Sequence, residues 1–279
     1  MDLGAALRSA FRYVEQHGDP LDVARADLLA FGASAERVVE AYASRQSDHG
    51  AFASDPTLPT DWASADVEGS VDALWELSEV GLLGAPIVEN AVAYLSGEQA
   101  GDGSWGGRDT DLDTSVRLTG MAGGFLARTR WGRPGRVQAA GDFLAEHWSP
   151  DRVKGGRWAD IASHAHFFAN VDHSESDPIL QWCGREFERG VLSNQWGPVA
   201  AARILVLSDA HALPGAKFDG PDLAVAILNA QATDGCWLEG SDTPEPQRDT
   251  ATTLSALAAL IHFGVRPVEA HAAQKPGSS

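Results

Sequence analysis

Gln99-Ala-Gly-Asp-Gly-Ser-Trp105, continuing Gly-Gly-Arg-Asp-Thr-Asp-Leu-Asp-Thr-Ser115, decides the fold of this chain. It reads as the close of one helix, a turn and the opening of the next. Gln99 ends the amphipathic run Ile87-Val-Glu-Asn-Ala-Val-Ala-Tyr-Leu95, and Gly101, Gly103, Gly106 and Gly107 permit tight backbone geometry that a Cβ resists. Asp113 or Thr114 then caps a helix running through Met121 and Phe125, by accepting from its free N–H groups.

The unit recurs. Gln-x-x-x-Gly-x-aromatic stands at Gln46…Gly50-Ala-Phe52, Gln99…Gly103-Ser-Trp105 and Gln231…Gly235-Cys-Trp237. Each copy leads to an Asp that opens an apolar helix, at Asp66, Asp113 and Asp249. A fourth, degraded copy is Gly156-Arg-Trp158, with Arg152 where the Gln belongs; Gly50, Gly103 and Gly156 are 53 residues apart. Repeats at such a period mark an array of supersecondary units, none of which buries its apolar face alone.

Working outward, Leu3 to His17 reads as an amphipathic helix with Leu7, Phe11 and Val14 on one stripe. Gly18-Asp19-Pro20 stops it and starts another, which Gly32 ends. Ser34 caps a third helix, to Gln46, and further helices follow at 66–80, from Pro86 to Gln99, from Asp113, and from Gly132-Arg-Pro134-Gly135. Others are placed near 160–171, 177–190, 198–210, 221–231 and 249–263. Helices before the turns have polar faces (Arg136-Val-Gln-Ala-Ala-Gly-Asp-Phe-Leu-Ala-Glu146), whereas those after them are small and apolar (Thr252-Thr-Leu-Ser-Ala-Leu-Ala-Ala-Leu-Ile261). An inner ring of apolar helices inside an outer ring predicts an all-α fold, an α/α toroid of about six helical hairpins. Residues 1–265 form its single domain, and 266–279 read as a disordered tail.

Composition narrows the function. A net charge of −18 excludes a general nucleic-acid binder and docking on anionic lipid. Cys183 and Cys236 form no CxxC pair, the N-terminus has no signal-peptide core, and no apolar run is long enough for an integral membrane segment. A cytoplasmic address is the expectation.

The turns at Gln99-Ala-Gly-Asp102-Gly103-Ser-Trp105 and Gln231-Ala-Thr-Asp234-Gly235-Cys-Trp237 lead to Asp113-Thr114 and Asp249-Thr250, each opening an apolar helix. In this the chain resembles the repeat of the squalene/hopene-cyclase and protein-prenyltransferase superfamily. The resemblance implies a terpenoid cyclase-like or prenyltransferase-like enzyme, acting on an isoprenoid or other apolar small molecule in a central cavity. Triterpene cyclases of this type carry a catalytic acid in Asp-x-Asp-Asp-Thr. The comparable stretch here is Asp109-Thr-Asp111-Leu112-Asp113-Thr114, with Leu112 at the middle Asp and Thr110 at the first. The prenyltransferase zinc site requires Asp-x-Cys, where this chain has Asp113-Thr-Ser115 and Asp249-Thr-Ala251.

The inner helices point their N-termini to one end of the ring, which gathers Asp22, Asp66, Asp113 and Asp249, with Asp109 and Asp111 beside them. These carboxylates read either as N-caps or as a catalytic acid. A carboxyl desolvated by an apolar cavity and crowded by a second carboxylate keeps its proton to high pH. It can then protonate an alkene and start cyclisation, with aromatic faces stabilising the cation. Asp111, which has no evident capping duty, is the leading donor, with Asp113 and Asp109 as companions.

The degraded copy leads into Asp160-Ile-Ala-Ser-His164-Ala-His166-Phe167, a second acid/base candidate. No cofactor is expected; the alternative is a divalent metal at His164, His166 and His173, where His164 and His166 diverge by about 200° on a helix but share one side of an extended segment. Trp62 and Trp196 are candidate substrate contacts near the mouth, with Asp66, Asp249 and Phe167, while Trp105, Trp158 and Trp237 are assigned to turns. Gly120, Gly123 and Gly124 serve either close helix packing or a hollow cavity. A non-catalytic ligand-binding or protein-interaction toroid is the competing class, and a polar, filled centre would favour it.

Overall fold

A computed structural model describes residues 3–54, 65–107, 110–239 and 247–265. Asp109, Trp62 and the tail 266–279 lie outside the described residues. Within them the fold is all-α. The helices are α1 (Leu3–His17), α2 (Pro20–Phe31), α3 (Glu36–Ala43), α4 (Val67–Glu79), α5 (Pro86–Glu98), α6 (Leu112–Arg128) and α7 (Pro134–Glu146). They continue with the four-residue α8 (Pro150–Val153), then α9 (Trp158–Asn170), α10 (Ser176–Leu192), α11 (Pro198–Leu207), α12 (Gly220–Ala230) and α13 (Thr250–His262). Two antiparallel pairs of two-residue strands, β1 (Phe52–Ala53) with β2 (Ala65–Asp66) and β3 (Leu238–Glu239) with β4 (Gln247–Arg248), join the arms of two turn loops.

The repeat turns explain how the helices are laid side by side. The side-chain amides of Gln46, Gln99 and Gln231 donate to the carbonyls of Gly50, Gly103 and Gly235, at 2.8, 2.9 and 2.9 Å. Each amide also donates across to another helix, to the carbonyls of Ile87 in α5, Arg136 in α7 and Ala6 in α1. Gly103 has φ +93°, and a Cβ there would collide with the Ala139 carbonyl of α7; the position needs glycine on both counts. The Trp105 and Trp237 indoles are buried, and each donates at 2.7 Å to a carbonyl of the preceding helix, Leu95 and Ile227. Their backbone N–H groups are received by Thr119 and Thr253 of the following helices.

The last copy docks on the first helix, since Gln231 reaches Ala6 and Gly235 sits against the Ser9 backbone. Contacts pass from α4 to α6, α9, α11, α13 and α2, and the buried Arg25–Glu79 pair links α2 back to α4. Two classes of helix follow from burial. α9 is buried continuously from Asp160 to Phe168 and α13 from Thr252 to Leu260. α1, α5 and α7 bury a single stripe, such as Ile87, Val88, Ala91, Val92 and Leu95. Gly120 and Gly124 settle the glycine question for α6: they let it approach Ser163 and the His166 ring of α9, so they serve close packing.

Capping differs from expectation in two places. Asp66 and Asp249 cap α4 and α13, accepting from Gly69 N–H at 2.6 Å and Thr252 N–H at 2.5 Å. At α6 the cap is Asp111, not Asp113 or Thr114: it accepts from the Thr114 N–H at 2.9 Å and the Thr114 hydroxyl at 2.8 Å. Asp111 therefore does have a capping duty. The cap lies two residues before Asp113 because the Asp111 carboxylate reaches the Thr114 N–H, and the exposed Leu112 is the first residue of the helix. The third helix is shorter than read and begins without a side-chain cap at Ala35; Ser34 Oγ accepts only from Glu36 N–H, at 3.3 Å.

Candidate functional site

The N-terminal halves of α4, α6 and α9 leave a cavity of about 180 Å³ between them. Glu68, Asp72 and Trp75 of α4, Arg117 and Met121 of α6 and Trp158 of α9 line it. A second cavity of about 190 Å³ shares Asp72 and Trp75 and extends to Arg25, Glu76, Glu79 and Arg203. Trp75 and Trp158 are nearly parallel, with ring centroids 5.9 Å apart and planes at 10°. The Arg203 guanidinium lies 4.4 Å from the Trp75 ring and 5.7 Å from that of Trp158.

Position on α4 explains the electrostatics. Glu68, Asp72 and Glu76 recur every four residues, so one helical face turns three carboxylates toward the cavities. Asp72 is exposed to solvent at the shared edge of the two cavities, with protein around part of its carboxyl. Burial, with the charges of Glu68, Glu76 and Asp66, pushes its carboxyl up to about 6, against the opposing pull of Arg203. Deeper in, Arg25 pairs with Glu79 at 3.0 Å and with Glu76 at 3.6 Å. Burial works against the Arg25 charge, but Tyr42 and these carboxylates outweigh it and hold the guanidinium protonated. Glu79 also accepts from Ser255 at 2.9 Å, and Glu76 from the Tyr42 hydroxyl.

The acidic mouth is organised differently. Asp111 is exposed, and its two bonds from Thr114 hold its carboxyl below the usual range. Asp113 pairs with Arg152 at 2.9 Å and Arg157 at 3.4 Å and is likewise lowered, chiefly by the Arg152 hydrogen bond. Both are ionised at neutral pH, and neither lines the 180 Å³ cavity, where Thr114 alone represents that turn. Asp22, at the start of α2, receives the Thr250 hydroxyl at 2.8 Å, which places the N-termini of α2 and α13 together.

The histidines face apart on α9. His164 Nδ1 is 2.7 Å from the Asp160 carbonyl, and its ring packs on Trp148 and Phe168. His166 Nδ1 is 2.6 Å from the Leu207 carbonyl, and its ring packs on Phe125. Burial pushes them down to about 4 and about 3, so both are neutral. His173 meets Asp142 at 3.3 Å. Among the described residues no group of three or more His, Cys, Asp and Glu is placed to hold a metal ion. Phe167 is buried beside Gly123 and Phe168, and Trp196 packs on Gly190 and Phe187.

Trp158 departs from its assignment to a turn. Its indole donates to Ala200 of α11 at 2.7 Å, and its ring faces the cavity. Gln195, from beyond α10, supplies the amide that the degraded copy lacks, donating to Gly155 at 2.9 Å and Gly156 at 3.2 Å. Trp158 thus leaves the structural role that Trp105 and Trp237 keep. Asp72 and Arg203 were not singled out by sequence reading; carboxylates repeated at i, i+4 on a helix otherwise suited to burial were the available signal.

This arrangement defines an all-α protein with charged and aromatic groups converging on adjoining cavities among its buried helices. It is similar to a solved crystal structure of a protein from Actinoplanes, with TM-score 0.60 and 14% identity over 94% of this chain and 99% of that one. That likeness concerns the fold. No family model and no curated protein matches the chain. Among the described residues no helix is long and apolar enough to cross a membrane.

Proposed function

We propose that the chain is an α/α toroid, akin to the squalene/hopene-cyclase and protein-prenyltransferase superfamily, that acts on a small molecule at Asp72. The observation carrying this reading is the exposed Asp72 carboxyl at a cavity walled by Trp75 and Trp158, pushed up to about 6 by partial desolvation and neighbouring carboxylates. Those are the requirements for a proton donor near neutral pH. A cavity of about 180 Å³ suits a ligand little larger than benzene, which fills an engineered cavity of about 150 Å³. Protonation of a carbon–carbon double bond by Asp72 would leave a cation beside the indole faces. The resulting carboxylate would then remove a proton from a neighbouring carbon, returning Asp72 to its starting state.

A second reading, a binding or interaction toroid without chemistry, is favoured by Arg203, whose guanidinium already covers the Trp faces. Mass spectrometry of ligand retained through native purification separates the two, followed by turnover of that ligand by variants. Asp72→Asn is expected to retain the ligand and lose turnover by at least about 100-fold, the usual scale of general-acid catalysis. Asp111→Asn is expected to keep both turnover and melting temperature, because Asn caps as well as Asp. Wild-type turnover in Asp72→Asn would leave the binding reading, and loss confined to Asp111→Asn would return the acid to the mouth.

A further inference from the structure

We propose that Arg203 anchors the carboxylate of a small organic acid in the cavity between α2, α4, α11 and α13, an inference that rests on the cavities being the ligand site. Arg203 is half-buried, and among the described residues it makes no hydrogen bond or ion pair; only the Trp75 and Trp158 rings hold it. Its Nε is buried without an acceptor. The Arg25 Nε and the Trp75 Nε1 are two further buried donors without acceptors, on residues lining the same cavity.

Two of the three carboxylates lining this cavity, Glu76 and Glu79, are already engaged. Glu79 receives Arg25 and Ser255, and Glu76 receives Tyr42 and pairs with Arg25. The charge of Arg203 reaches Asp72 without an ion pair forming between them. The Arg203 guanidinium therefore stands at the cavity, among the described residues, without an acceptor of its own, and unsatisfied donors are costly away from water. A planar carboxylate fits a guanidinium fork with two parallel hydrogen bonds. A phosphate carries more charge toward Asp72, Glu76 and Glu79, and is disfavoured for that reason.

Trifluoroacetate, comparable in size to benzene and followed by ¹⁹F NMR, tests this against the neutral trifluoroacetamide and inorganic phosphate. Wild-type protein is expected to bind trifluoroacetate at least tenfold more tightly than the amide and more tightly than phosphate. Arg203→Gln is expected to abolish that preference, and Arg37→Gln, at an exposed arginine paired with Asp27, to preserve it. Circular dichroism establishes that Arg203→Gln is folded; if it is not, Arg203→Lys takes its place and is expected to weaken the acid's binding while leaving the amide's unchanged. Equal binding of acid and amide, unaltered at position 203, would overturn the anchor yet leave the cavity as a ligand site. Preference for phosphate would overturn the carboxylate assignment. Failure of all three probes to bind would remove the cavity reading and this inference together.

Discussion

Trp105→Ala is expected to lower stability by about 3–5 kcal/mol, the range for removing a large buried aromatic side chain. The indole is fully buried and donates to Leu95 at 2.7 Å, so truncation opens a void and strands a carbonyl at the end of α5. Its backbone N–H bond to Thr119 survives truncation, which confines the loss to the side chain. Trp237→Ala, with the equivalent bond to Ile227, is expected to cost a similar amount. Each loss corresponds to a fall in melting temperature on the order of 10 °C for a protein of this size. Chemical denaturation of both variants checks the result, and losses within measurement error at both sites would remove the structural account of the repeat.

Glu79→Ala is expected to cost a comparable amount, about 3–5 kcal/mol, through electrostatics. Arg25 is held with 4% of its surface exposed, and Glu79 is its shortest ion-pair partner. Removing the carboxylate leaves the buried guanidinium with Glu76, at 3.6 Å, as its remaining ion-pair partner among the described residues, and takes from Ser255 its acceptor. The double variant Arg25→Met/Glu79→Leu removes both charges and is expected to recover much of the loss, since hydrophobic replacement of a buried pair is often close to neutral. A double variant as unstable as Glu79→Ala would show that packing, not the stranded charge, sets the cost.

The contrast between these two sites marks what was legible in the chain. The Gln-x-x-x-Gly-x-Trp turns are local: the Gln bonds its own Gly four residues on, and the Trp bonds ten residues back. Spacing alone reveals such units, and most helix boundaries followed from Pro, Gly and Asp at their ends. The two cavities are assembled from α2, α4, α6, α9, α11 and α13, whose residues meet only after the helices pack. Nothing local in the sequence distinguishes Asp72 from its neighbours on α4, and Trp158 shares its motif with two structural tryptophans. The acid-rich stretch at Asp111 and Asp113 drew attention because its residues are neighbours in sequence. Hydrogen bonds from Thr114 and Arg152 keep those carboxyls ionised, whereas desolvation, invisible in sequence, raises Asp72.

The central claim is that the proton-holding carboxyl is Asp72, and ¹³C NMR titration of the aspartate side chains tests it most directly. Asp72 is expected to titrate near 6, with Asp111 and Asp113 below the ordinary range. The linked effect on stability has a fixed sign. A carboxyl raised in the folded state stabilises fully below its unfolded value, near 3.8, and loses that contribution as pH rises through about 6. Asp72→Asn should accordingly melt higher than wild type at pH 8, relative to its standing at pH 4. An Asp72 midpoint at or below 3.8, with no pH-dependent difference in melting between the two proteins, would contradict the assignment.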